Sequence, residues 1–261
     1  VPAAAVTILV FGLFRPSAYE IEATRDRLWL QCSGERTPLE PGERRLIRGV
    51  CSVQGVAGDA WFTLRVPGRI ERPFFGRLTT RAGPFLEAAV SMPLETAVAS
   101  VVAAEMGDAP PEALRAQAIA ARSYFAAQGL MAGTPVRHAG GWFCDTTHCQ
   151  HLRAPPDASH PAQRAARSTA GTVLWYQGQP VAALYSAHCG GQTRSLAAPA
   201  PGRYPFFPAG CDACRRARSP AGRSHRLGLC QHGARELAAA GQRAEEILAL
   251  YFARTLLGPM P

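Results

Sequence analysis

The hydrophobic period of the chain changes near residue 92, and that change limits the folds open to it. Up to about residue 90 the apolar residues come in short, partly alternating runs. These are "RLWLQC", "RRLIRGVCSV", "AWFTLRV" and "PFLEAAVSM", separated by glycine, proline and polar turns. A period of two puts alternate side chains on one buried face, as in half-buried strands. From about 92 to 130 the pattern is helical, and "GTVLWYQGQPVAALYSA" (171–187) reads as a hairpin turning at Gln177-Gly178. The expected fold class is α+β: a β-rich N-terminal region over residues 1–90, then a helical and β-hairpin core over 91–261. The opening "AAAVTILVFGLF" is the longest apolar run. It is too short to span a bilayer, and we read it as a buried first strand rather than the remnant of a signal peptide.

With 47% hydrophobic and 18% charged residues, the 261-residue chain is globular rather than disordered. All 28 basic residues are Arg and the net charge is +9, which favours anionic partners. The arginines are scattered, with one short cluster at Arg215, Arg216 and Arg218, and no basic motif is interleaved with aromatics. Nucleic acid is therefore not the expected partner, and no transmembrane segment is expected. The eight cysteines are Cys32, Cys51, Cys144, Cys149, Cys189, Cys211, Cys214 and Cys230. An even number suits an exported, bridged protein and equally a metalloprotein.

"PLETAVASVVAAEMGDAPPEALRAQAIAARSYFAAQ" divides into two helices. Pro93 and Glu95 suit the first turn of one, and Gly107 ends it. Asp108 or a neighbour would cap the other, with Pro110 and Pro111 in its opening turn. Leu94, Val98, Val101 and Glu105 fall at i, i+4, i+7 and i+11, on one face. Glu105 thus ends an inward stripe at a helix C-terminus, where burial and the helix dipole both favour a protonated carboxyl. That is what a general acid requires; the alternative is an acid emerging into solvent. Leu114, Ala118, Ala121 and Phe125 form the apolar face of the second helix, with Arg115 and Arg122 off it. Residues 195–224 read as a loop, and "RELAAAGQRAEEILALYFARTLL" as closing helix interrupted near Gly241.

"HAGGWFCDTTHCQH" (138–151) packs three histidines and two cysteines into one short stretch. A metal site, a Cys144–Cys149 disulfide and a chance cluster all remain open. Cys211 and Cys214 form a Cys-x-x-Cys in the loop. A local bridge, a small metal site completed by Cys230 or His232, and thiol redox chemistry are its three readings, in that order. Cys32 and Cys51 are placed to bridge two strands.

Five blocks occur in order: "MPLETAVASVVAAEM", "PPEALRAQAIAARSYFAA", "CDTTHCQ", "YSAHCGGQT" and "GLCQHGARELAAAGQRAEEIL". Together they resemble the SpoIID/LytB family, the stage II sporulation protein D and amidase-enhancer domains of bacterial cell envelopes, over residues 90–255. The resemblance implies an exported protein of the periplasm or cell envelope that acts on peptidoglycan glycan strands. SpoIID-like members are lytic transglycosylases that cleave the MurNAc–GlcNAc bond of strands lacking stem peptides, leaving 1,6-anhydro products. LytB-like members enhance a cell-wall amidase. By the same resemblance Glu105 is the catalytic acid. Zinc (Zn2+) is held close to it by His138, Cys144 and Cys149, with water, His148, His151 or Cys189 in the fourth place. Arg122, Tyr124, Gln150 and Gln231 are the substrate-binding candidates; for Arg122 the alternative is a buried tie between loops. Asp145 is a spare acid or orients a metal ligand. The chain departs from the family pattern at His188 and Cys189, and at Ser224 and Arg226, which flank His225 where relatives carry glycines; a substrate role for His225 is thereby in doubt.

Overall fold

The computed structural model describes residues 5–130, 143–198, 203–217 and 224–260. They form an α+β fold in two compact units. The first gathers the described residues within 1–97 and 136–155, the second those within 98–135 and 156–261.

The first unit is built of strands β1 (Ala5–Val10), β2 (Tyr19–Ala23), β3 (Leu28–Cys32), β4 (Glu35–Leu39), β5 (Arg44–Ile47), β6 (Cys51–Gly55), β7 (Ala60–Val66), β8 (Ile70–Arg81), β9 (Glu87–Pro93) and β10 (Phe143–Cys144). β7 shows why: Ala60, Phe62, Leu64 and Val66 are buried, and the residues between them are not. β1 is a strand, as its apolar run implied; it pairs antiparallel with β9 and parallel with β10. β8 pairs with β7 through Ile70–Gly76 and with β9 through Arg77–Arg81. At the changeover Gly76 has φ 149°, and a Cβ there would collide with the Ser91 carbonyl oxygen. Only glycine fits that crossing. Phe74 packs in the core edge-to-face on Phe11 and at a tilt on Phe62, with ring centroids 5.8 and 5.9 Å apart. Cys32 and Cys51 lie opposite each other on β3 and β6 and are joined by a disulfide.

The second unit takes α1 (Leu94–Met106) from Val98 onward, then α2 (Pro111–Phe125), α3 (Pro161–Ser168), β11 (Thr172–Tyr176), β12 (Gln179–Pro180), β13 (Tyr185–Ser186), α4 (Asp212–Arg216), β14 (Leu229–Cys230), α5 (Gln231–Ala239), α6 (Ala244–Tyr251) and β15 (Leu256–Pro259). α2 is the central helix. Every residue from Ala116 to Phe125 is buried, so it has no polar face, and its many alanines let neighbouring elements approach closely. Ser123 fixes β11, its hydroxyl accepting the Leu174 amide at 2.8 Å.

Several local expectations need correction. The residue before α2 is Pro110, with no side-chain cap; exposed Asp108 instead accepts from Arg235 at 2.7 Å. Arg122 is fully buried rather than off the apolar face. The hairpin turns at Gln177 (φ 48°) and Gly178 (φ 75°) as expected, but its second arm is only Gln179–Pro180. The chain then diverges, and Tyr185–Ser186 pairs in parallel with Leu229–Cys230. The closing helix ends at Tyr251, and Leu256–Pro259 is a strand paired with β11. A short helix, α4, lies within the expected 195–224 loop. No helix among the described residues is long and apolar enough to cross a membrane.

Candidate functional site

Glu105 is the penultimate residue of α1. Leu94, Val98 and Val101 of its stripe are buried, and Glu105 itself is half-buried where the stripe runs out. Its partner comes from α5. Gln231, the first residue of that helix, donates from Nε2 to Glu105 Oε2 at 3.0 Å and to Gln117 Oε1 at 3.4 Å. Gln117 projects from α2 and is fully buried. The acid is therefore oriented by a neutral amide that is itself held from behind. The structure thus joins two candidates that lie far apart in sequence.

Arg122 and Tyr124 are placed differently. Both are buried. Arg122 donates to the Ala166 carbonyl at 3.0 Å and the Thr172 carbonyl at 3.1 Å, tying α2 to the end of α3 and the start of β11. This is the loop-tying alternative for that residue. Exposed His225 accepts the Leu227 amide at 3.0 Å, and Gln150 is buried in the first unit.

The Cys/His stretch belongs to the first unit. Cys144 ends β10, and the turn after it brings His148 Nδ1 to 3.8 Å from both Cys144 Sγ and Cys149 Sγ. These three donor atoms lie within 4.8 Å of one another. The Cys144 thiol is shifted strongly downward, first by its hydrogen bond with Cys149 and then by contacts with Thr146 and His148 that outweigh burial. Neither cysteine is in a disulfide, so the Cys144–Cys149 bridge is not formed. Two thiols and an imidazole make a donor set that suits zinc. His138 lies outside the described residues. His151 accepts from Arg153 at 3.0 Å. Cys189 lies in the second unit, where its sulfur groups with those of three other cysteines.

Asp145, between these ligands in sequence, is buried and paired with Arg72 at 2.9 Å. It also accepts the Phe11 amide at 3.4 Å. Burial pushes its carboxyl up against the pull of Arg72. The same arginine donates to the Leu152 carbonyl at 3.0 Å, fastening both ends of the turn. Asp145 is thus a structural anchor of the Cys/His turn.

In the second unit the sulfurs of Cys189, Cys211, Cys214 and Cys230 converge, all four buried and none bridged. The local Cys211–Cys214 bridge expected from sequence is not formed. The spacing pointed to Cys230 as a partner of Cys211 and Cys214; nothing near Cys189 in sequence points to residue 211.

Residues 85–176 match the SpoIID family model, described as Stage II sporulation protein. The match includes Glu105, Arg122, Tyr124, Cys144, Cys149 and Gln150 and ends before Gln231. It ties this stretch to a family with a role at the cell wall. None of the curated proteins matches the chain.

Proposed function

We propose that the protein is a lytic transglycosylase of peptidoglycan glycan strands, with Glu105 as general acid and base, exported to the periplasm or cell envelope. The observation that carries this reading is the half-buried Glu105 carboxyl at a helix end, oriented at 3.0 Å by the Gln231 amide. A neutral donor fixes the carboxyl in place without setting a charge against it, as a guanidinium partner would.

The chemistry needs one carboxyl. Protonated Glu105 gives its proton to the glycosidic oxygen as the bond from the MurNAc anomeric carbon to that oxygen breaks, and GlcNAc leaves with a free 4-hydroxyl. The resulting carboxylate takes the proton of the MurNAc 6-hydroxyl, whose oxygen bonds to the same anomeric carbon and closes the 1,6-anhydro ring. Protons and bonds balance, no water is consumed, and Glu105 ends protonated. The second carboxylate of ordinary glycosidases is not required.

Cys144, Cys149 and His148 would hold zinc, with His138 a further donor. Zinc there would act as a clip on the 144–149 turn, since an intramolecular attack calls for no metal-activated water.

The test is digestion of purified glycan strands followed by mass spectrometry. Wild type yields anhydro-muramic ends. Glu105→Gln lowers the rate by ~10²-fold or more while strand binding persists. Strand binding by wild type without anhydro ends, with zinc supplied, overturns the enzyme reading in favour of a wall-binding enhancer of an amidase.

A further inference from the structure

We propose that Cys189, Cys211, Cys214 and Cys230 form a second, buried metal site, a tetrathiolate for a single divalent ion of the zinc class, which fastens the start of α5. The four residues come from three separate segments: Cys189 follows β13, Cys211 and Cys214 flank the first turn of α4, and Cys230 ends β14 and caps α5. The parallel pairing of Ser186 with Cys230 draws the first and last segments together.

Distance decides between a bridge and an ion. A disulfide holds its sulfurs about 2.05 Å apart. A tetrahedral ion with metal–sulfur bonds of about 2.3 Å holds them about 3.8 Å apart. Here Cys214 and Cys230 are separated by 3.5 Å and Cys211 and Cys230 by 3.9 Å. All four sulfurs lie within 4.8 Å of one another. That space takes one ion and excludes a cluster carrying its own sulfides.

Hydrogen-bond donors surround the sulfurs. The Gly233 amide donates to Cys230 Sγ at 3.5 Å, and the Tyr251 hydroxyl donates to Cys211 Sγ at 3.6 Å. Such donors offset the excess negative charge of four thiolates around a dication. Arg215 adds a positive charge alongside, its Nη1 donating to the Gly191 carbonyl at 3.1 Å. Gly233 cannot carry a side chain: a Cβ would strike the Tyr251 hydroxyl and come 2.7 Å from Cys211 Sγ. Close approach of α5 to the sulfurs is thus written into the sequence.

Gln231 follows Cys230 directly, so an ion here holds the helix end that presents an amide to Glu105. This last role rests on the proposed transglycosylase reading; the metal site itself does not.

Metal content is therefore the readout. The Cys144→Ser/Cys149→Ser variant, purified without reductant, should retain one zinc per chain by native mass spectrometry and elemental analysis. Adding Cys211→Ser and Cys214→Ser should remove it. Cobalt(II) reconstitution of the Cys144→Ser/Cys149→Ser protein should give the strong thiolate charge-transfer and visible bands of tetrahedral sulfur ligation. If the quadruple variant does not fold, the cobalt spectrum alone decides. No bound metal in the Cys144→Ser/Cys149→Ser variant overturns the proposal, as do disulfides among the four cysteines. So does zinc that survives Cys189→Ser but is lost in His188→Ala or His232→Ala, since those rings stack 5.0 Å apart beside Cys214. Failure of glycan cleavage would leave these results unchanged.

Discussion

The protein contains two sulfur-rich groups of opposite character. In the first unit Cys144, His148 and Cys149 sit within one short turn, partly exposed, and bring three donors together. In the second unit four buried cysteines from three segments converge on one point. The first group is conspicuous in sequence and needs little folding to assemble. The second is inconspicuous and can form only when the fold forms. A metal in the turn should therefore be a local clip, and one among the four cysteines a part of the core, because binding energy at a site absent from the unfolded chain becomes folding energy.

The largest expected effect breaks or keeps that contrast. Removing metal from the four-cysteine group should cost several kcal/mol, on the order of half the zinc-finger values, and lower the melting temperature by ~10 °C or more. Cys144→Ser/Cys149→Ser should lower it by a few degrees at most, about 1 kcal/mol, as for partly exposed sites. Calorimetry on chelated wild type and on the serine variant measures both. Equal shifts would mean that burial does not distinguish the two groups.

What the sequence disclosed follows the same division. Period-two alternation marks β7, which has one drier and one wetter side; α1 is buried all round from Ala97 to Val102, and the stripe ending at Glu105 is only one of its buried faces. From Ala116 to Phe125 α2 is buried on all sides, so periodicity could not reveal that Arg122 lies inside it. β15 follows α6 closely with the apolar Leu256 and Leu257, and a short apolar run does not tell strand from helix. The resemblance singled out Gln231 and Glu105 but not their pairing, which forms only when α5 brings Gln231 to the end of α1. Cys189 was out of reach for a similar reason: its neighbours are set by the parallel β13–β14 pairing, a non-local contact.

The next effect concerns the support of the exposed group. Arg72 holds Asp145 and the Leu152 carbonyl, and both charged side chains are largely buried at 12% and 7% exposure. Removing one partner of a buried pair leaves an uncompensated charge, at a cost of ~3–5 kcal/mol. Arg72→Met should show that loss in urea unfolding of the first unit. Arg72→Met/Asp145→Leu should recover much of it. If the single variant is as stable as wild type, the turn is not anchored through this pair and the local-clip picture needs another support.

The smallest effect belongs to the second unit alone and is set by pH. Glu112, in the first turn of α2, accepts the Ala244 amide at the start of α6 at 2.8 Å and pairs with Arg115 at 3.0 Å. Burial pushes its carboxyl up, but the Ala244 amide and Arg115 outweigh it, and the net shift is below the ordinary value of 4.5. A depressed carboxyl stabilises the fold above its unfolded value, and that contribution disappears as pH falls through its lower folded value. Glu112→Gln removes the charge while its amide oxygen can still accept from Ala244. At neutral pH the variant should be less stable by up to ~1 kcal/mol, the range for a partly exposed pair. The gap from wild type should close as pH falls through and below the ordinary carboxylate range. Acid also strips thiolate-bound metal, so the comparison is made at equal metal load, where that loss cancels between the two proteins. A gap that stays constant down to low pH would show that Glu112 acts as a neutral cap on α6 rather than as a charge.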